Sequence, residues 1–194
     1  MKTTEIVGFK RKNLGTKEAK ELRAEGNAPC VVYGSKNEPI HFHAPMYLFK
    51  DLLYTPDAYI VKLNVEGEEK ECILQDVQFH PVSDTITHVD FLEIFDDKPV
   101  KIEVPVKLKG NAPGAIAGGQ IFLKQKKLTV KALPKDLPEF VSVDISKLEL
   151  AQSIRVREIE VEGKFEVVNP PSVTIVTILV PRALKTQQAQ EEEA

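Results

Sequence analysis

The chain has 194 residues, a formal net charge of −3 and 42% hydrophobic residues, which is the composition of an ordinary globular protein. No run approaches the roughly 18 uncharged apolar residues of a membrane helix, and the charged first residues lack the apolar segment of a signal peptide. Cys30 and Cys72 lie in unrelated contexts without CxxC spacing, so neither a disulfide framework nor a zinc motif is indicated. We therefore expect one or two domains in a reducing cytoplasm, without membrane contact.

In the first half of the chain, apolar side chains alternate with polar ones. This alternation predicts strands at 4–9, 30–33, 40–42, 58–65, 70–79 and 86–94, with Glu66–Gly67 as a turn. Thr16 as N-cap and Gly26 as C-terminal stop predict a helix at 17–25. Pro45 predicts the start of a second helix at about 46–54, which would bury Leu48, Leu52 and Leu53.

The second half continues the alternating pattern. It predicts strands at 100–108, 121–130, 140–145, 154–161 and 173–180, and a long hairpin loop in the glycine-rich stretch 110–120. About ten strands with short polar turns are typical of barrels or sandwiches. The charged stretch 95–100 suggests a boundary, so we predict domains at 1–95 and 96–182. The polar segment 183–194, which ends in three glutamates, is expected to be a disordered acidic tail.

The charges are unevenly distributed along the chain. Residues 1–23 carry a balance of +4, residues 24–97 a balance of −10, and residues 98–194 a balance of +3. A basic N-terminal segment can form a local phosphate-binding patch even when the segment that follows it is acidic. The alternative is that these lysines merely solubilise the terminus.

The first predicted helix concentrates the basic residues. Lys17, Lys20 and Arg23 recur every three residues and therefore share one side, with Lys10 and Arg11 just before the helix. Such a cationic surface can follow RNA phosphates. Polar groups on the strands are suited to RNA contacts as well: Tyr33, Gln75, His88 and Asp90. A merely solvated helix remains the alternative, because glutamates at 18, 21 and 25 dilute the positive charge.

Two histidine patterns raise other possibilities. His41 and His43 share a strand face, but no third metal ligand is close in sequence. His88 and Asp90 also share a face, and an aspartate that orients a histidine can create a general base. No nucleophile or partner acid accompanies them in a known motif, and the glycine-rich stretch lacks the GK[ST] ending of a phosphate-binding loop. We therefore expect no enzyme, no metal and no cofactor.

Three blocks of the sequence resemble a known family. GTKEAKELRAEGNAPCVVYG contains Gly15, Leu22–Arg23, Pro29 and Tyr33–Gly34; QDVQFHPVSDTITHVDF and GQIFLKQKKLTVKALPKDLPEFVSVDISKL are the other two. Together they resemble the long, two-domain form of the bacterial large-subunit ribosomal protein number twenty-five, also called the general stress protein CTC family. The resemblance covers about residues 4–180.

This resemblance implies a mainly β fold: a small N-terminal β-barrel with two short helices, followed by a second β-rich, sandwich-like domain. It implies a cytoplasmic, non-catalytic ribosomal component that binds 5S ribosomal RNA through the widened minor groove of an internal loop. The partners would be that RNA and neighbouring large-subunit proteins and rRNA, with the protein present as a monomer within the ribosome. The implied RNA-facing residues are Arg11, Lys20, Arg23, Tyr33, Gln75, His88 and Asp90; charge and spacing add Lys10 and Lys17.

Two departures from the family pattern bear on affinity. Family members often have two adjacent arginines where this chain has Lys20–Glu21, and a basic residue where it has Thr16. Lysine does not reproduce the bidentate geometry of arginine, and Glu21 repels phosphate, so we expect weaker RNA binding than in a more basic member. The alternatives are a cytoplasmic stress protein that binds a protein or a small ligand, and a small hydrolase or metal enzyme built on the histidines.

Overall fold

The chain is mainly β, as predicted, in a computed structural model that describes residues 1–34, 38–159 and 165–181. It divides into two compact units. The first comprises Met1–Ile102 and Ala132–Glu139; the second comprises Glu103–Lys131 and the described residues from Phe140 onward. The domain limits 1–95 and 96–182 stay a prediction, and the expected tail at 183–194 lies outside the described residues.

The first unit contains the predicted β-barrel. Six strands close in the order β1-β3-β2-β6-β5-β4. Their bounds are β1 (Lys2–Lys10), β2 (Asn27–Tyr33), β3 (Ile40–Pro45), β4 (Tyr59–Val65), β5 (Glu68–Phe79) and β6 (Ile86–Glu93). Parallel pairing of β1 with β4 completes the ring, and β2 pairs in parallel with β6. Residues 35–37, which belong to the predicted turn between β2 and β3, lie outside the described residues.

Alternation along the strands fills the barrel with apolar side chains. Ile6, Phe42, Val61, Leu63 and Phe91 are fully or almost fully buried, and the rings of Phe42 and Phe91 lie 6.0 Å apart. The predicted turn at Glu66–Gly67 is confirmed: both residues have positive φ angles, +52° and +93°, as a type I′ hairpin turn requires.

A bulge in β5 breaks the predicted alternation. The pairing of β5 with β6 shifts register between Leu74 and Asp76, so Gln75 is the extra residue. Cys72 belongs to the barrel core and Leu74 packs against it, but beyond the bulge Val77 packs there instead. Regular alternation along the strand predicted at 70–79 places residues 72, 74, 76 and 78 on one face, and the bulge shows this expectation to be wrong. Asp76 is turned to the outer surface of the barrel, together with Gln78.

Helix α1 (Thr16–Ala24) lies where the sequence predicts a helix. Its N-cap is Gly15 and no side chain caps it, so the assignment of Thr16 as N-cap is wrong. Gly26 has φ +83°, which is the left-handed conformation expected of a C-terminal stop. Leu22 is the buried residue of the helix.

The second predicted helix is a composite. A 3-10 turn (Met46–Phe49) leads into the one-turn helix α2 (Lys50–Leu53), and Pro45 is the last residue of β3 rather than the first helical residue. Leu52 is buried, while Leu48 and Leu53 are partly buried against the barrel core. Phe49, which the sequence pattern did not single out, is fully buried.

The second unit is β-rich, as predicted. Its strands form a four-stranded sheet, β10-β7-β9-β12, and a three-stranded sheet, β11-β13-β8. Their bounds are β7 (Val100–Lys109), β8 (Gln120–Leu123), β9 (Lys127–Ala132), β10 (Val141–Asp144), β11 (Ser153–Arg155), β12 (Glu166–Val167) and β13 (Thr174–Leu179). The short helix α3 (Pro113–Ile116) follows β7.

Three predictions for this unit are wrong in detail. The stretch 110–120 is no hairpin loop, because it contains α3 and joins β7 to β8, which belong to different sheets. The strand predicted at 121–130 is two strands, interrupted at 124–126. The strand predicted at 154–161 ends at Arg155 and continues as a 3-10 turn, and its last two residues lie outside the described ones.

Both cysteine thiols lie in the barrel core, so we predict that they are chemically silent in the folded protein. Burial raises the pKa of Cys72 to about 12 and also raises the pKa of Cys30. At pH 8 a thiol reagent should label neither cysteine before unfolding in urea and both afterwards. Rapid labelling of the native protein would contradict this burial.

The same shift predicts a pH dependence of stability. Above pH 9.0, the ordinary value for a thiol, the unfolded chain loses a proton that folded Cys72 retains up to about pH 12. The free energy of unfolding should therefore fall as the pH rises through this window. Urea titrations at pH 8 and 10 measure the fall, and Cys72→Val should reduce it. An identical pH slope in wild type and variant would contradict the assignment.

Candidate nucleic-acid interface

Helix α1 is fixed on the outside of the barrel. It packs against β2, with Leu22 buried. The Nε of Arg23 donates a hydrogen bond to the carbonyl oxygen of Thr87 in β6, at 3.1 Å. Because Nε is engaged, the guanidinium group has a defined position next to His88, and its other nitrogens keep their donors for further partners.

Strands β5 and β6 present matched polar side chains beside this helix. Asp76 lies opposite Asp90, and Gln78 lies opposite His88. The Nδ1 of His88 and the Oδ1 of Asp90 form a hydrogen bond at 2.5 Å. The outer surface of β5 and β6 is therefore a ladder of hydrogen-bonding groups rather than an apolar face.

Tyr33, at the end of β2, belongs to the same surface. Partial burial raises the pKa of its hydroxyl, and the negative charges of Asp90 and Asp76 raise it further. The phenol is thus close enough to both carboxylates to sense them and stays a hydrogen-bond donor at neutral pH. We call this surface the polar face; it consists of Tyr33, Asp76, Gln78, His88 and Asp90.

The predicted basic residues divide into two groups. Lys17 and Lys20 are exposed on α1 and form no ion pair with any residue in the described part of the chain. The Nζ of Lys10 lies 2.7 Å from Glu68 Oε1; this hydrogen bond raises the pKa of Lys10 and lowers the pKa of Glu68.

The second engaged cation is Arg11. Its side chain is only 8% exposed, and one guanidinium nitrogen lies 3.7 Å from Glu18 in α1. The same nitrogen donates to the carbonyl oxygen of Asn13 at 3.3 Å. Arg11 therefore ties the end of β1 to the segment that leads into the helix.

Arg23, Tyr33, His88 and Asp90 come together at one surface, and Gln75 is exposed on the adjoining bulge. Sequence reasoning missed Asp76 and Gln78, because strict alternation assigned them to the side of buried Cys72. The residue types of β5 nevertheless contain a signal for the bulge. Two polar residues on a face that also holds a buried cysteine and a leucine conflict with a regular strand, and a bulge resolves that conflict.

His43 lies beside an aromatic ring and not in a cluster of metal ligands within the described residues. The ring of His43 lies 5.7 Å from that of Phe9, and its Nδ1 is buried. Within residues 1–34, 38–159 and 165–181, no three His, Cys, Asp or Glu side chains come together as a metal site. No helix in those ranges has the length and apolar character needed to cross a membrane.

The charges and donors of this surface suit a particular kind of ligand. Free ammonium groups on α1 can neutralise phosphates. The carboxylates of Asp76 and Asp90 are strong acceptors, which repel phosphate but accept hydrogen bonds from hydroxyl and amino groups. The minor groove of helical RNA offers both: 2′-hydroxyls on the sugars and the exocyclic amino group of guanine. The cations of α1 therefore match the phosphates of an RNA backbone. The acceptors of the polar face match the donors on the floor of the adjoining groove.

Comparison with known proteins gives consistent matches over nearly the whole chain. The family model described as "Ribosomal L25p family" matches residues 6–91, and the one described as "Ribosomal protein TL5, C-terminal domain" matches residues 99–182. The chain is 47% identical to the "Large ribosomal subunit protein bL25" of Cytophaga hutchinsonii, over 97% of both chains. It is 46% identical to the protein of the same name from Amoebophilus asiaticus, over 99% of this chain and 97% of the relative.

The facing carboxylates of Asp76 and Asp90 should lower the free energy of unfolding of the protein. Like charges directly opposite on neighbouring strands destabilise a sheet, so Asp76→Asn should raise the free energy of unfolding by about 0.2–1 kcal/mol. Asparagine keeps the oxygen that accepts from the Val77 amide at 2.9 Å, and the loss of charge should lower the pKa of Tyr33.

Urea unfolding measures the first effect, and ultraviolet titration against a Tyr33→Phe reference measures the second. Glu69→Gln is the control, because Glu69 lies in the same strand opposite uncharged Asn64. A loss of stability in Asp76→Asn would contradict the prediction.

Proposed function

The chain belongs to the ribosomal L25p family, and we propose that it binds 5S ribosomal RNA through helix α1 and the polar face. As a member of this family it is a structural, non-enzymatic component of the large ribosomal subunit in the bacterial cytoplasm, with ribosomal RNA as its partner. The proposal concerns which RNA it binds and which residues bind it.

The observation that carries the proposal is the position of Arg23 between two kinds of surface. Through Thr87 its guanidinium is fixed at the junction of the cationic helix and the acceptor-rich strands. A groove wide enough to admit strands β5 and β6 would place its phosphates near Lys17 and Lys20 and its floor near Asp76 and Asp90. The family resemblance implies such a groove at an internal loop of non-canonical pairs, whereas regular RNA helices are recognised largely by shape.

Each residue has a role that follows from its surroundings. Lys17 and Lys20, free of ion pairs with described residues, are the phosphate contacts. The Tyr33 hydroxyl, Gln75 and Gln78 are donors or acceptors for sugar and base edges, and the His88–Asp90 pair presents an oriented acceptor.

Lys10 and Arg11 have a more indirect role in this proposal. Each already has a carboxylate partner, Glu68 or Glu18, and the Arg11 side chain is enclosed. Their role is to stabilise neighbouring elements: Lys10 through its ion pair with Glu68 in β5, and Arg11 through its contact with Glu18 in α1. Direct contact would require each to leave its partner.

Binding to 5S rRNA, measured in parallel with tRNA across a salt series, tests this proposal. The combined variant Arg23→Ala/Tyr33→Ala should weaken 5S binding about tenfold or more, because charge-assisted and buried hydrogen bonds are lost together. Loss of the Arg23 cation, one of the three positive charges that share this side of α1, should also reduce the salt slope by about 0.7–0.9. Lys62→Ala, which removes an exposed lysine of β4, is the matched control and should change neither quantity.

Equal and feeble binding to both RNAs, unaffected by the double variant, would contradict the proposal. It would favour the alternative of a stress protein that binds a protein or a small ligand.

Glu21 offers a test in the opposite direction. It is exposed on α1, directly after Lys20 and one helical turn from Lys17, and its negative charge opposes theirs. Glu21→Arg should tighten binding to 5S rRNA about two- to fivefold, the range expected for a surface charge pair. The measurement is filter binding at low and high salt, and the gain should shrink at high salt. Unchanged affinity at low salt would mean that this side of the helix does not approach the phosphates.

A further inference from the structure

The turn that joins β5 to β6 projects apolar side chains into solvent. Phe79 is 44% exposed and Val82 is 87% exposed, and Pro81 between them is exposed as well. We call residues 79–84 the hairpin tip. Loop tips are ordinarily polar, so three exposed apolar residues in six are unusual for a surface that meets only water.

The hairpin tip is held rigidly in this form. The Nδ1 of His80 accepts hydrogen bonds from the backbone amides of both Val82 and Ser83, each at 3.3 Å. The amide of Asp84 donates to the carbonyl of His80 at 3.0 Å, and the amide of His80 donates to the carbonyl of Thr85 at 2.8 Å. A loop ordered before binding loses little conformational entropy when its exposed side chains are buried by a partner.

The charge of this hairpin argues against a phosphate partner. From Glu71 to Asp97 the chain contains seven acidic residues and no lysine or arginine. Asp84 lies at the tip itself, where it would repel a phosphate backbone. An apolar tip with a negative charge fits a protein surface that combines an apolar pocket with basic residues at its rim.

We propose that the hairpin tip docks into such a pocket on a neighbouring protein of the large ribosomal subunit, with Val82 as the inserted side chain. The inference rests on the proposed function in that both place the chain in the ribosome. The Thr87 hydroxyl donates to the carbonyl of Gln78 at 2.9 Å, and this bond joins the two strands of the hairpin. The tip is therefore continuous with the polar face, and its partner lies at the edge of the RNA interface.

Photo-crosslinking within the assembled subunit tests the proposal. The full-length chain carrying Val82→p-benzoylphenylalanine is added to large subunits purified without it and then irradiated. The expected result is an adduct that resists ribonuclease and is digested by protease, as an adduct to protein must be. The same residue at Lys62, an exposed position in β4, is the control. An adduct to RNA, or no adduct above the Lys62 level, would overturn the proposal.

A charge variant separates this interface from the RNA interface. Val82→Glu should reduce retention in purified large subunits about fivefold or more in competition with wild type, because a carboxylate cannot enter an apolar pocket. Its affinity for isolated 5S rRNA should equal that of wild type. Equal retention, or a loss confined to RNA affinity, would refute the docking role. If instead wild-type chain fails to select 5S rRNA, the proposed function fails while the crosslink result stands.

Discussion

Pairing of the first strand with the fourth closes the barrel, and this closure determines what every other strand presents to solvent. With β1 held in parallel against β4, the six strands have no free lateral edge, and each residue faces either the apolar interior or the surface. Gly8 shows how tight the interior is, because a Cβ atom there would lie 2.5 Å from the ring of Phe42. Since the interior accepts no polar side chain, the polar residues of β2, β5 and β6 form one outer surface.

The bulge at Gln75 refines this surface. It moves Val77 into the interior and turns Asp76 outward, opposite Asp90. Two carboxylates at one rung repel each other, and the hydrogen bond between His88 and Asp90 relieves only part of this repulsion. Such an arrangement costs stability, and under the proposed function a groove floor rich in donors would relieve that cost on binding. The cations of α1 contribute the long-range attraction that acceptors alone lack.

Alternation and turn chemistry predicted all six barrel strands, the first helix and the Glu66–Gly67 turn, because these features depend on local sequence. The bulge escaped prediction because regular alternation was assumed along β5. The polar residues Asp76 and Gln78 are its local signal, but its position at Gln75 depends on pairing with β6. In the second unit the strand at 121–130 reads as continuous, yet residues 124–126 separate two strands that belong to different sheets. The exposed cations of α1 followed from helical spacing. The enclosure of Arg11 by Glu18 did not, because it depends on how the helix packs on the barrel.

The central claim is that α1 and the polar face are the surface that receives 5S ribosomal RNA. Titration of isotopically labelled protein with 5S rRNA, followed by backbone and side-chain resonances, tests it most directly. The account predicts that perturbed resonances concentrate in α1, at Tyr33, and in β5 and β6 around Gln75–Gln78 and His88–Asp90. Perturbations confined to β4 or to the second unit, with the resonances of Arg23 and Asp90 unchanged, would contradict it.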